Sequence, residues 1–287
     1  MLTLAAEYEQ VPGMTEALPE GTIVCGLDGS EDCLEIARVA QDLATALGQR
    51  LEFVHALGDG RRHAGPETRA MLDMLCAAGG PGVGGRIVEG DPMRRIAAVA
   101  AEERAALIVV GTRGPVPSEG APLGSISRRL AAGAPCPVLI VPRSVQSHVR
   151  PLGWRARSIV CGFDASDGAW EAALQAAELA EGLRARVVLV SVGATVPWKM
   201  SGVARELAAR RPLVRIDWEH HNGDPAWELQ RSAATNTAAL IAVGSHGAGP
   251  GRERLLLGSV ARQLLLTARL PVLTVPIQTL LPVRMQE

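Results

Sequence analysis

The strongest constraint on this chain is that its middle and its end repeat one another. The apolar run Ala106-Leu107-Ile108-Val109-Val110 leads into Gly111-Thr112-Arg113-Gly114 and, after nine further residues, Gly124-Ser125. The run Ala239-Leu240-Ile241-Ala242-Val243 leads in the same way into Gly244-Ser245-His246-Gly247 and, after ten residues, Gly258-Ser259. Asp28 has its counterpart in Asp164, 136 residues on; Gly90-Asp91-Pro92 has its counterpart in Gly223-Asp224-Pro225, 133 residues on. A chain of 287 residues with this repeat holds two copies of one unit, each of ordinary domain size.

Within the first copy, short apolar runs alternate with stretches of helical periodicity. Strands are predicted at 22–28, 51–57, 86–89, 107–110 and 137–142, with helices at 32–47, 66–78, 92–104 and 125–132 between them. Such alternation predicts a parallel sheet covered by helices on both faces. The second copy repeats the list from Ser158 to Pro276. The reading divides the chain into an arm (1–20), a first domain (21–143), a polar and basic linker (144–156), a second domain (157–277) and a tail (278–287).

Charge and composition exclude several functions. A formal net charge of -1 lacks the basic footprint of a nucleic-acid binder. Lys199 is the one lysine in the chain, so no lysine-dependent Walker phosphate loop can be built from the glycine segments. Five cysteines, odd in number and without CxxC spacing, argue against a disulfide framework or a structural zinc site. With no apolar run of membrane-spanning length and no basic, apolar leader, the expected compartment is the cytoplasm, without a membrane partner.

A strand ending in Asp, then Gly-Asp-Pro before a helix, then Gly-x2-Gly-x9-Gly-Ser after the fourth strand: in this order the chain resembles the universal stress protein family in tandem form. The resemblance covers about residues 20–143 and 157–277. It implies two doubly wound five-stranded parallel sheets of strand order 3-2-1-4-5, a fold similar to the adenine nucleotide alpha hydrolases. It also implies binding of ATP, with Mg²⁺, by members that keep the glycine motif, and a regulatory role in stress or dormancy. Members without the motif bind no nucleotide, which leaves an interaction scaffold as the alternative. Carried over residue by residue, the resemblance implies adenosine contacts from Gly26, Asp28 and Ala56, and from Gly162, Asp164 and Val192. It implies phosphate contacts from Gly111, Arg113, Gly114, Gly124, Ser125 and Ser127, and from Gly244, His246, Gly247, Gly258 and Ser259. At the place of Ser127 the second copy has Ala261. Any ATPase activity is expected to be slow, since no residue is placed as a base for water.

Physical reasoning reaches the same crevice. In a sheet of order 3-2-1-4-5 the connections after strands 1 and 4 leave toward opposite faces and open a crevice at the carboxyl ends of those strands. Glycines bring backbone N–H groups close to an anion, and the following helix start favours phosphate. The two loops differ: the first contains three prolines and Glu119, while the second carries Arg252 and Arg254 but is one residue longer. Unequal affinities are therefore expected. Asp91-Pro92 and Asp224-Pro225 read as ordinary helix starts. The segment Gly79 to Gly85 formally matches G-x-G-x-x-G at Gly80, Gly82 and Gly85, but it follows a helix and precedes a strand, so it reads as a flexible connection. His55 reads as a packed residue. Each fifth strand, apolar and at a sheet edge, is expected to meet its counterpart inside the chain, with Val138, Ile140, Val272 and Thr274 near the junction. A homodimer beyond this internal pair is allowed, but the sequence does not reveal its surface.

Overall fold

The computed structural model describes residues 21–30, 32–58, 65–112, 123–143, 153–193, 197–246 and 257–276. In the first half β1 (Thr22–Leu27), α1 (Cys33–Leu47), β2 (Arg50–Ala56), α2 (Pro66–Gly79), β3 (Val83–Val88), α3 (Pro92–Glu102), β4 (Leu107–Gly111), α4 (Ser125–Gly133) and β5 (Val138–Val141) follow in order. The second half repeats them as β6 (Ser158–Gly162), α5 (Asp167–Leu183), β7 (Arg186–Val192), α6 (Pro197–Arg210), β8 (Ile216–His221), α7 (Pro225–Thr235), β9 (Ala238–Gly244), α8 (Ser259–Thr267) and β10 (Val272–Val275).

Each half has the expected 3-2-1-4-5 order, all parallel, but the two sheets are not separate. They form one ten-stranded sheet, β3-β2-β1-β4-β5-β10-β9-β6-β7-β8. The joint is antiparallel, with Ile140 opposite Val272, Leu139 opposite Leu273 and Val138 opposite Thr274. The expected meeting of the fifth strands is therefore a continuous backbone ladder. Thr274 adds a bond across the joint, its hydroxyl donating to the Val138 carbonyl at 3.3 Å.

Strand alternation sorts the core into two layers. Ile23, Cys25, Leu107, Val109, Leu139 and Leu273 face α1, α2, α5 and α6; Val24, Ile108, Val110, Val138, Ile140 and Val272 face α3, α4, α7 and α8. Such period-two runs, apolar on both sides, are what a sheet covered on both faces requires. The two halves do not hold their helices alike. The inner face of α1 carries Ile36, Val39 and Leu43, whereas that of α5 is Ala169, Ala172, Ala173, Ala176, Ala177 and Ala180. Small side chains bring α5 closer to its strands.

The Gly-Asp-Pro turns do what their chemistry predicts. Asp91 accepts from the Arg94 N–H at 3.0 Å and Asp224 from the Trp227 N–H at 2.9 Å, each followed by Pro at the first helical position. Replacing either aspartate by alanine is expected to lower stability by about 1 kcal/mol, read as a shift in urea unfolding.

The Gly79–Gly85 segment departs from the expectation of a flexible connection. Gly79 closes α2, and Val83, Gly84 and Gly85 belong to β3, paired with Leu51, Glu52 and Phe53. A Cβ on Gly85 would stand 2.9 Å from the Cys76 sulfur, so its lack of a side chain lets α2 pack on this outer strand. The predicted start of the strand at Arg86 was late because glycines carry no alternation to read.

Candidate functional site

The two halves close their glycine loops by the same backbone bonds. The N–H of Thr112 donates to Val141 and that of Gly124 donates to Thr112, at 3.1 and 2.7 Å; the N–H of Ser245 donates to Val275 and that of Gly258 to Ser245, at 2.9 and 2.8 Å. Each loop is thus pinched at its neck beside the carboxyl end of the fourth strand, and delivered to the N-terminus of α4 or α8. At those starts Gly124 and Gly258 are extended and supply no side-chain cap. The first-turn N–H groups, with the positive end of the helix dipole behind them, are therefore left for another acceptor. Ser125 and Ser259 stand exposed at the first helical position.

Ser127 and Ala261, two residues further in, are both buried. The Ser127 hydroxyl donates to the Gly111 carbonyl at 2.6 Å and tethers the end of β4 to α4, a bond the alanine cannot make. Arg113, Gly114 and Gly247 lie outside the described residues.

Asp28 follows β1 and is half-buried. Its Oδ1 accepts from the Ser30 N–H at 2.9 Å and the Cys33 thiol at 3.1 Å, and the sulfur accepts from the Asp28 and Gly29 N–H groups at 3.3 and 3.1 Å. Cys33, which the sequence reading passed over, is thus the residue that fixes the aspartate. The spacing Asp-x4-Cys on a turn entering a helix was the available signal. Asp164 is held differently: Ser166 donates to its Oδ1 from both N–H and hydroxyl, at 3.0 and 2.5 Å, and caps α5.

Gly26 and Gly162 serve the packing of helices. A Cβ on Gly26 would meet Ile96 of α3 at 2.7 Å, and one on Gly162 would meet Leu229 of α7 at 3.1 Å. Ala56 and Val192 end their strands, partly exposed, beside the same crevices. Gly244 meets backbone rather than a side chain: a Cβ there would lie 2.7 Å from both the carbonyl carbon and oxygen of Gly168, in the first turn of α5. In the first half a shallow recess remains at the equivalent place, between Asp32, Glu35 and Ile36 of the α1 start and Gly111, Thr112, Val141 and Arg143, with Asp32 and Arg143 paired at its rim. Gly168 was also missed, since its meaning depends on a partner 76 residues away.

His246 shares a hydrogen bond with the Ser245 hydroxyl through Nδ1 at 2.8 Å, and its Nε2 is buried with no partner among the described residues. His55 is buried, its Nδ1 3.0 Å from the Leu27 carbonyl, as a packed residue should be. None of the cysteines offers a thiolate. Burial, and then the hydrogen bond to Asp28, pushes Cys33 up to about 11, and burial pushes Cys136 and Cys161 up to about 12. All five are free thiols. Among the described residues no cluster of His, Cys, Asp and Glu is arranged to hold a metal ion, and no helix is long and apolar enough to cross a membrane.

The universal stress protein family model matches residues 59–142 and again 203–276. A universal stress protein of Thermus aquaticus is 35% identical over 133 residues, which span 42% of this chain and 97% of the relative. One of Methanocaldococcus jannaschii is 28% identical over 138 residues, 42% of this chain and 81% of the relative. Among solved structures, a universal stress protein from Archaeoglobus fulgidus matches with a TM-score of 0.67 at 17% identity, over 89% of this chain and 98% of that one. A protein of unknown function from Pseudomonas aeruginosa matches at 0.64 and 20% identity, over 90% and 93%. At these identities the structural likeness concerns the fold, and it extends over both halves. With the family pattern matched twice along its length, the chain belongs to the universal stress protein family, as a tandem of two such units.

Proposed function

We propose that the chain binds adenine nucleotide, as ATP with Mg²⁺, in the crevice beside β1 and β4, and that occupancy is its regulatory output in stress or dormancy. The observation that carries this is the twice-built loop neck, which delivers uncapped helix N–H groups to the carboxyl end of the fourth strand. Phosphate oxygens would accept from the first turn of α4, with Ser125 able to donate its hydroxyl. Asp28, held by Cys33 through Oδ1, would accept from ribose or adenine donors through Oδ2, which has no partner among the described residues. The phosphate oxygens of the nucleotide, rather than a carboxylate cage, would supply the ligands of Mg²⁺. Arg113, Gly114, His246 and Gly247 complete the proposed phosphate shells.

The halves should differ. Gly168 presses on Gly244 where the first half keeps a recess, so the first crevice is the tighter nucleotide site in this reading. Native mass spectrometry of the purified chain, followed by calorimetry with Mg-ATP, tests it. The expected result is one strongly bound nucleotide, weakened roughly tenfold or more by Asp28→Ala, which removes a charged acceptor. An apo mass that persists in millimolar Mg-ATP would favour the nucleotide-free scaffold, for which the Gly168–Gly244 contact is the one supporting observation.

A further inference from the structure

A second cavity, larger than the recess at Gly111, lies away from the crevices. It occupies about 890 Å³ where the two halves meet, between Leu47, Gln49 and Leu107 of the first and Gly182, Arg186 and Leu273 of the second. Its strand-end residues come from the amino ends of β4 and β7, so it opens at the end of each half away from the glycine loops. That volume falls in the range of roughly 300–1,000 Å³ usual for small-molecule sites.

The lining is cationic and apolar together. Six arginines contribute to it: 155, 157, 184, 186, 211 and 215. Arg211 is neutralised by Glu178 and Glu181, at 3.3 and 2.9 Å, and Arg186 and Arg215 share Asp217 at 2.8 and 3.0 Å. Three arginines remain without a carboxylate partner among the described residues. Arg155 donates to the Ala46 carbonyl at 2.7 Å and so bridges the halves. Arg157 donates to the carbonyls of Thr237 and Ala238, while its Nη1 is buried with no acceptor among the described residues. Arg184 has no side-chain bond to a described residue and is exposed at the cleft. Around these cations the wall is apolar, with Leu47, Leu107 and Leu273 buried in it and Leu213 standing 77% exposed at the rim.

Arg184 carries a second signal. It ends α5 in the left-handed conformation, with φ of 51°, where the matching residue after α1 is Gly48 with φ of 68°. Glycine is the favoured residue at this position of a helix end, because it has no Cβ to strain the turn. The second half holds a guanidinium there instead, on the wall of the cleft.

We infer that this interdomain cleft is a second ligand site, for a small amphipathic anion with a phosphate or carboxylate head on an apolar body. The head is received by Arg155 and Arg184, since guanidinium groups match such oxygens in pairs, and the half-buried guanidinium of Arg157 backs them. The apolar body lies against the leucines. The site is independent of nucleotide binding in the crevices.

Hexyl phosphate serves as the probe, titrated calorimetrically into the full chain at low salt, with the thermal midpoint measured alongside. One molecule is expected per chain, bound more weakly when inorganic phosphate replaces it. Arg184→Gly should weaken binding about tenfold or more, the effect of losing a charged hydrogen bond. Because glycine relieves the left-handed turn, the same variant should melt no lower than the parent, so a loss of binding does not report a loss of fold. Arg155→Ala should weaken binding by a similar factor. Absence of binding at millimolar probe, unchanged affinity in both variants, or displacement of the probe by Mg-ATP would overturn the assignment.

Discussion

Replacing Leu139 by alanine is expected to destabilise the whole chain by about 2–5 kcal/mol, the usual cost of emptying a leucine site in a packed core. Leu139 is fully buried, and it stands opposite Leu273, itself 1% exposed, in the middle of the antiparallel joint. Both belong to the layer of core that also contains α1 and α5, so the hole opens against both halves. Four of the five tryptophans lie in the second half and Trp154 lies in the linker, so the fluorescence reports chiefly on the second half. A lesion on β5 should nonetheless move the tryptophan transition in urea together with the far-UV circular dichroism. A tryptophan midpoint that stayed in place while the dichroism shifted would mean that the halves unfold independently and that the joint contributes little.

The second large effect is expected at Gly244. A methyl group there would approach the Gly168 carbonyl to 2.7 Å and the His246 carbonyl oxygen to 3.0 Å, and all of these are backbone atoms that cannot rotate aside. Gly244→Ala should therefore cost about 1–3 kcal/mol by overpacking. It should also lift the start of α5 from β9. Gly26→Ala is the control, since its equally close neighbour is the tip of the Ile96 side chain, which can turn away. Urea unfolding of the two variants measures the difference, and equal losses would show that the α5 start yields as readily as a side chain.

This contrast shows why the fold was more legible than the site. The strands could be read because burial on both faces writes itself as continuous apolar runs, and the duplication supplied a second copy to check each one. Asp91 and Asp224 could be read because a cap needs only residues three apart. Glycines are ambiguous in a single sequence: Gly26, Gly162 and Gly244 all suited a ligand, and the structure also brings each against a helix, at contacts set by residues 67 to 76 positions away. Trp154 was also hidden, being one aromatic residue in an arginine-rich stretch with no periodicity, yet it is buried at 3% in the core. The arginine cleft left no local trace, because its walls come from segments of both halves.

The antiparallel joint between β5 and β10 also sets the direction in which the strands of the two halves run. Parallel strands within each half and reversed direction between them make β4 and β5 run opposite to β10 and β9. The carboxyl ends of β4 and β9, beside which the two proposed crevices lie, therefore run in opposite directions on either side of the joint.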